Sequence, residues 1–211
     1  MLELSLLGGF EARLAPGGTI DLPTRKTRAL LAYLALHPDR PQSRESLATL
    51  LWSERGDRQA NNSLSQAVTA LRKALAGAVP PALAIEADSM TFAGATAEVD
   101  AVAFERFAAG TEAADLERAE ALYRGDLLAG IGVRDPVFED WLGVERARLR
   151  ALAVGALTKL LAYRTDQGQD DRLVATAQRL LRLDPLHEAA HRALMRGPCG
   201  GRAIWPCAPT I

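Results

Sequence analysis

The chain has 211 residues and a formal net charge of −1, with 25 Lys and Arg against 26 Asp and Glu. That length fits one or two domains, and 48% hydrophobic residues are enough for a packed core. The balance excludes a nucleic-acid binder that works by a global basic field: residues 1–95 hold ten Lys and Arg against nine Asp and Glu, so any such site must be a local patch. No apolar run reaches the ~18 residues of a membrane span. The N-terminal MLELSLLGGFEARL lacks the basic n-region of a signal peptide. With Cys199 and Cys207 as the only cysteines, the expected location is cytoplasmic and not membrane-bound.

Leu2, Leu4 and Leu6 alternate with Glu3 and Ser5, and Phe10, Ala12 and Leu14 alternate with Glu11 and Arg13. Gly8-Gly9 separates the runs, which predicts a strand pair with one buried face per strand. After Pro16-Gly17-Gly18, Ile20 and Leu22 predict a third short strand that Pro23 ends. From Arg25 to His37 the period becomes helical, with Thr27, Leu30, Leu31 and Leu34 on one stripe. Arg25, Lys26 and Arg28 crowd its first turn, against the helix dipole. Such a cluster either solubilises a surface or serves an anionic partner. Pro38 and Pro41 then break the chain, and Ser43 caps a second helix with Leu47, Leu50 and Leu51 inward and Trp52 at its end.

A third helix is predicted from Asp57 to Ala76, with Asp57 as N-cap and Gly77 as stop. Ala60, Leu64, Val68, Leu71 and Leu75 recur at helical spacing. The opposite face carries Asn62, Gln66, Thr69 and Lys73, flanked by Arg58, Ser65 and Arg72. Amides and hydroxyls can pair with base edges and cations with phosphates; the alternative is an amide-rich solvated face. Leu83 and Ile85, then Met90 and Phe92, form two alternating runs around Ala87-Asp88-Ser89, which predicts a hairpin. Three short helices and a hairpin make a winged helix-turn-helix, whose third helix enters the major groove.

From Val99 onward the pattern is helical, over roughly 99–109, 113–124, 137–166, 170–183 and 186–195. Asp184-Pro185 separates the last two, and Ala175, Ala177 and Ala189 occupy packing positions. Helix, short turn, helix with small contact residues is tetratricopeptide-like, though the segment is too short to establish a 34-residue period. The last stretch, GPCGGRAIWPCAPTI over 197–211, has no helical period. It cuts across an array that needs a capping neighbour, so a truncated or frame-shifted end is expected.

His187-Glu188-Ala189-Ala190-His191 spells H-E-x-x-H, which on a helix offers two imidazoles and a general base to zinc. A third ligand is lacking downstream, and the same residues fit the helical pattern, so neither a metal nor an enzyme is expected. Cys199 and Cys207 lack the two further ligands of a zinc site. Neither GxxxxGK[ST] nor GxGxxG occurs, and no cofactor is expected.

The stretches TRKTRALLAYLALHPDRPQSRESLATLLW (24–52) and NSLSQAVTALRKAL (62–75) resemble an OmpR-type winged-helix domain. VDAVAFERF (99–107), LYRGDLLAG (122–130), FEDWLGVERARLR (138–150) and LDPLHEAAHRALMR (183–196) resemble the bacterial transcriptional activator domain. Together they resemble the SARP-type regulators over residues 1–196. The resemblance implies a mainly α fold with a small β component: a winged helix-turn-helix at 1–95, an incomplete tetratricopeptide-like all-α domain at 96–196 and an irregular tail at 197–211. It implies a sequence-specific DNA-binding regulator, usually an activator, that binds promoter repeats of double-stranded DNA and assists RNA polymerase. The second domain would support homodimer or polymerase contacts.

On that resemblance the base contacts fall to Arg58, Asn62, Ser65, Gln66 and Thr69. Phosphate contacts fall to Arg25, Lys26, Arg28, Arg44, Arg72 and Lys73. The hairpin departs from the pattern by carrying Glu86 and Asp88, which phosphates repel, so the third helix and the Arg25–Arg28 cluster are expected to carry most of the contact. The competing expectation is a protein–protein scaffold that does not bind DNA.

Overall fold

Alternating Leu2 and Leu4 fold as β1 (Leu2–Ser5), antiparallel to β2 (Glu11–Leu14), with Leu2 opposite Leu14 and Ser5 opposite Glu11. The structure is a computed structural model that describes residues 1–168 and 170–196. Helix α1 (Arg25–Leu36) starts where the Thr24 hydroxyl accepts the Thr27 N–H at 3.1 Å. Its stripe of Thr27, Leu30, Leu31 and Leu34 is buried as expected. A two-residue strand β3 (Gln42–Ser43) leads into α2 (Arg44–Trp52), capped by the Ser43 hydroxyl on the Ser46 N–H at 3.0 Å. Helix α3 (Asp57–Ala74) follows, then the hairpin of β4 (Leu83–Ile85) and β5 (Ser89–Phe92), which pairs Leu83 with Phe92 and Ile85 with Met90.

Three details differ from the sequence pattern. Gly56, not Asp57, is the N-cap of α3, and the helix ends at Ala74; Asp57 instead places a carboxylate in the first turn, where the dipole favours it. Ile20–Leu22 forms no strand: a single bridge joins Arg13 to Thr19, and the Ile20 N–H reaches the Ala12 carbonyl at 2.7 Å. The third strand of the first sheet is β6 (Ala97–Val99), parallel to β1, giving the order β2-β1-β6. The second sheet, β3-β5-β4, closes the winged helix-turn-helix.

The remaining helices are α4 (Asp100–Ala108), α5 (Ala113–Leu122), α6 (Pro136–Asp166), α7 (Asp170–Leu183) and α8 (Glu188–Arg196). Each packs on the next in chain order, with weaker contacts of α4 with α6 and of α6 with α8. Leu157, Leu161, Ala177, Leu180, Ala190 and Ala193 make a small core at this end. A larger core runs without a break from Leu2 to Leu160, through both halves of the chain. Among the described residues no helix is long and apolar enough to cross a membrane.

The two halves meet on aromatic rings and two buried carboxylates. Trp141 of α6 lies 5.0 Å from Tyr33 of α1 and 5.3 Å from Phe138, centroid to centroid. Asp135 directly precedes α6, where Pro136 needs no amide partner. Its carboxylate accepts the Ser53 N–H at 3.2 Å, the Ser53 hydroxyl at 2.8 Å and the Lys26 ammonium at 3.2 Å. Asp100, the first residue of α4, accepts the Leu6 and Leu7 N–H groups at 2.7 and 3.1 Å and the Arg124 guanidinium at 3.2 Å.

Burial nonetheless raises the Asp100 carboxyl above its ordinary value, outweighing the Leu6 and Leu7 amides and Arg124, which lower it. A carboxyl that holds its proton more tightly folded than unfolded stabilises the fold most while protonated. That contribution is lost as pH rises from 3.8 through the raised value. The stability of the native chain relative to Asp100→Asn is therefore expected to fall as pH rises above 3.8, measured as the difference between two urea-unfolding series. A difference that rises with pH would overturn the assignment.

Candidate nucleic-acid interface

The period of α3 sorts its residues into two faces. Ala60, Leu64, Ala67, Val68 and Leu71 are buried against the other helices, with Leu75 just past the end. Arg58, Asn62, Ser65, Gln66, Thr69, Arg72 and Lys73 are all exposed. A helix is about 10–12 Å across with side chains and the major groove about 12 Å wide, so an exposed face of this length can lie along base edges.

The face offers three kinds of group. The amides of Asn62 and Gln66 have no side-chain partner among the described residues, which leaves donor and acceptor free for the bidentate pairing that suits adenine. The hydroxyls of Ser65 and Thr69 donate back to the Asn61 and Ser65 carbonyls, each at 2.9 Å. Their protons are spent and their lone pairs are what they present, so they act as acceptors. Arg58, Arg72 and Lys73 make no ion pair or side-chain hydrogen bond among the described residues, and their charge is available to phosphates.

Arg44 ties three elements together. Its N–H donates to the Asp88 carbonyl in the hairpin turn at 2.9 Å, and its guanidinium Nη2 donates to the Ser65 hydroxyl on α3, also at 2.9 Å. The hairpin tip thus lies close to the exposed face of α3. At that tip the Glu86 carboxylate folds back on the Ser89 hydroxyl at 3.0 Å, while Asp88 remains exposed.

The other three predicted phosphate residues find their partners away from α3. Lys26 donates to the Leu51 carbonyl and to Asp135, and its ammonium lies 5.4 Å from the Trp52 ring centre. Arg25 reaches the Gly132 carbonyl at 3.3 Å. A side chain at Gly132 would meet that guanidinium at 3.1 Å, and its φ of +58° favours glycine. Arg28 donates to the Leu22 carbonyl at 3.2 Å and to Asp21 at 3.4 Å. Two of these three cations thus meet the segment 132–135, and the third stays with residues 21–22. Sequence reasoning missed Arg55, whose Nη1 donates to the Ser63 hydroxyl at 2.8 Å; its only signal was a cation in the connector before α3.

The H-E-x-x-H residues are placed differently from a metal site. His187 precedes α8, so the two histidines do not share a helix. Its Nδ1 accepts the Ala190 N–H at 3.4 Å and its Nε2 meets the Thr158 hydroxyl at 3.0 Å. His191 Nε2 donates to the Pro185 carbonyl at 2.8 Å. Cys199 and Cys207, with the rest of 197–211, lie outside the described residues.

The winged helix-turn-helix with its open polar third helix, and the stacked helices after it, match families of transcriptional regulators. The chain belongs to the bacterial transcriptional activator domain family, which it matches over residues 87–200, and residues 17–86 match the family described as transcriptional regulatory protein, C terminal. An OmpR-type domain followed by this activator domain is the SARP architecture. No curated protein matches the chain in sequence. Among solved structures it is similar to Mycobacterium tuberculosis EmbR in complex with a low-affinity phosphopeptide, at 20% identity and a TM-score of 0.55. That match covers 93% of this chain and 66% of the EmbR chain. The likeness is one of fold.

Proposed function

We propose that the chain binds promoter DNA in sequence-specific fashion through α3 and activates transcription by assisting RNA polymerase, in the cytoplasm. The observation that carries this reading is the exposed face of α3, where Asn62 and Gln66 keep both amide functions unengaged among the described residues. In it, Arg58, Asn62, Gln66 and Thr69 read base edges, Ser65 adds one free lone pair, and Arg44, Arg72 and Lys73 hold phosphates. Arg25 and Arg28 keep enough surface to touch flanking phosphates; Lys26 serves Asp135. We assign residues 1–95 to DNA and 96–196 to polymerase or to a second copy of the chain, although the two share one core.

A scaffold that docks a protein instead of DNA is the competing reading, and the exposed carboxylates of the hairpin favour it. Selection of duplexes from a randomised pool by the full chain separates the two, because a scaffold retains none at low salt. For the selected duplex, Lys73→Ala is expected to weaken binding to specific and random DNA alike. It should also reduce the slope of log K against log salt by about 0.9, one released counterion's worth. An unchanged slope removes Lys73 from the phosphate set.

A further inference from the structure

Two serines on α3 hold two arginines in the same way. Ser63 Oγ donates to the Gln59 carbonyl one turn back at 2.9 Å and accepts from Arg55 Nη1 at 2.8 Å. Ser65 Oγ donates to the Asn61 carbonyl at 2.9 Å and accepts from Arg44 Nη2 at 2.9 Å. In each case the hydroxyl proton is committed to the backbone, so the remaining lone pairs have a fixed direction in which to receive a guanidinium. Arg44 comes from the start of α2 and Arg55 from the connector that ends at Gly56. The two cations therefore reach α3 from different parts of the helix-turn-helix.

Residues two apart on a helix are separated by about 200°, which puts Ser63 and Ser65 on opposite flanks of α3. Asn62, Gln66, Thr69 and Lys73 occupy the arc between them. With a helix about 10–12 Å wide in a groove about 12 Å wide, each flank faces one of the two phosphate backbones. Each arginine spends one of its five N–H donors on serine, and the rest of the fork remains for a phosphate, its best-matched anion. Glu54 and Asp57 neighbour Arg55 in sequence but form no ion pair with it among the described residues.

We infer that Arg44 and Arg55 form a two-sided phosphate clamp, one arginine on each DNA strand, and that Ser63 and Ser65 are its positioning residues. This assigns Ser65 to holding Arg44 and not to reading a base, and it adds Arg55 and Ser63 to the interface. The inference rests on the DNA-binding reading proposed above. It deepens that reading by fixing the lateral position of α3 in the groove, which decides which base pairs Asn62 and Gln66 can reach.

The test is phosphate-ethylation interference with the full chain on the duplex it selects, together with a salt titration. Arg44→Ala is expected to erase interference at phosphates of one strand and Arg55→Ala at phosphates of the other, each reducing the salt slope by about 0.9. Ser63→Ala and Ser65→Ala should weaken binding severalfold with the slope unchanged, because the charge stays. Ser63→Thr and Ser65→Thr, which keep the hydroxyl, should restore it. Loss of interference on the same strand by both arginine variants, or an unchanged pattern and slope in either, overturns the clamp while leaving the DNA-binding reading intact. If the native chain selects no duplex, both fall together.

Discussion

Asp135→Ala is expected to lower the unfolding free energy of the chain by about 3 kcal/mol, the low end of the range for breaking a buried ion pair by removing one partner. The carboxylate is 1% exposed and accepts two donors from Ser53 and one from Lys26, whose side chain keeps 26% exposure. Without it the Ser53 N–H is left unpaired and Lys26 keeps the Leu51 carbonyl and the Trp52 ring. The cation's partial exposure is what holds the cost to the low end, since water can reach it. Asp135→Asn keeps one acceptor oxygen and should cost about 1–2 kcal/mol, the price of converting charged to neutral hydrogen bonds. Lys26→Met should cost at least as much as Asp135→Ala, because it leaves a carboxylate that is 1% exposed without its counter-charge. Urea unfolding of the three variants checks the order. A loss under about 1 kcal/mol for Asp135→Ala, no more than an ordinary hydrogen bond, would show that this carboxylate contributes little to holding the halves together.

That pair also shows why only part of the molecule could be read from the sequence. Helices declare themselves locally: the stripes of α1, α2 and α3 and the extents of α4 to α8 follow from leucine and alanine spacing, and the hairpin from its alternation. Pairings across the chain carry no local mark. Lys26 meets Asp135 across 109 residues and Arg25 meets Gly132 across 107, so two cations of the first turn also belong to the seam, which no local pattern announces. Strand β6 is three residues long and becomes a strand only because β1 offers it an edge. On the open face of α3, the exposure of Asn62, Gln66 and Lys73 was legible from the helical period. The pinning of Arg44 and Arg55 was not, because it depends on where α2 and its connector deliver two side chains against α3.

Asn62→Ala is expected to cost about 1–3 kcal/mol on the selected duplex, the worth of one bidentate base contact, and almost nothing on random DNA. The loss should appear as relaxed preference at one base pair when the selection is repeated with the variant. Gln66→Ala should relax a different position. The two residues stand one turn apart, about 6 Å along the helix, which spans nearly two base-pair steps of about 3.4 Å. If α3 follows the groove, the two relaxed positions are neighbours or next-neighbours; if it lies across the groove, both residues address the same step. Neither amide carries charge, so both variants should keep the native salt slope, in contrast to Lys73→Ala. Equal losses on specific and random duplex for Asn62→Ala would mean that its amide serves the backbone, and the base-reading role would pass to Arg58 and Gln66. Arg58 lies at the N-terminal end of α3, the end from which recognition helices commonly reach base edges.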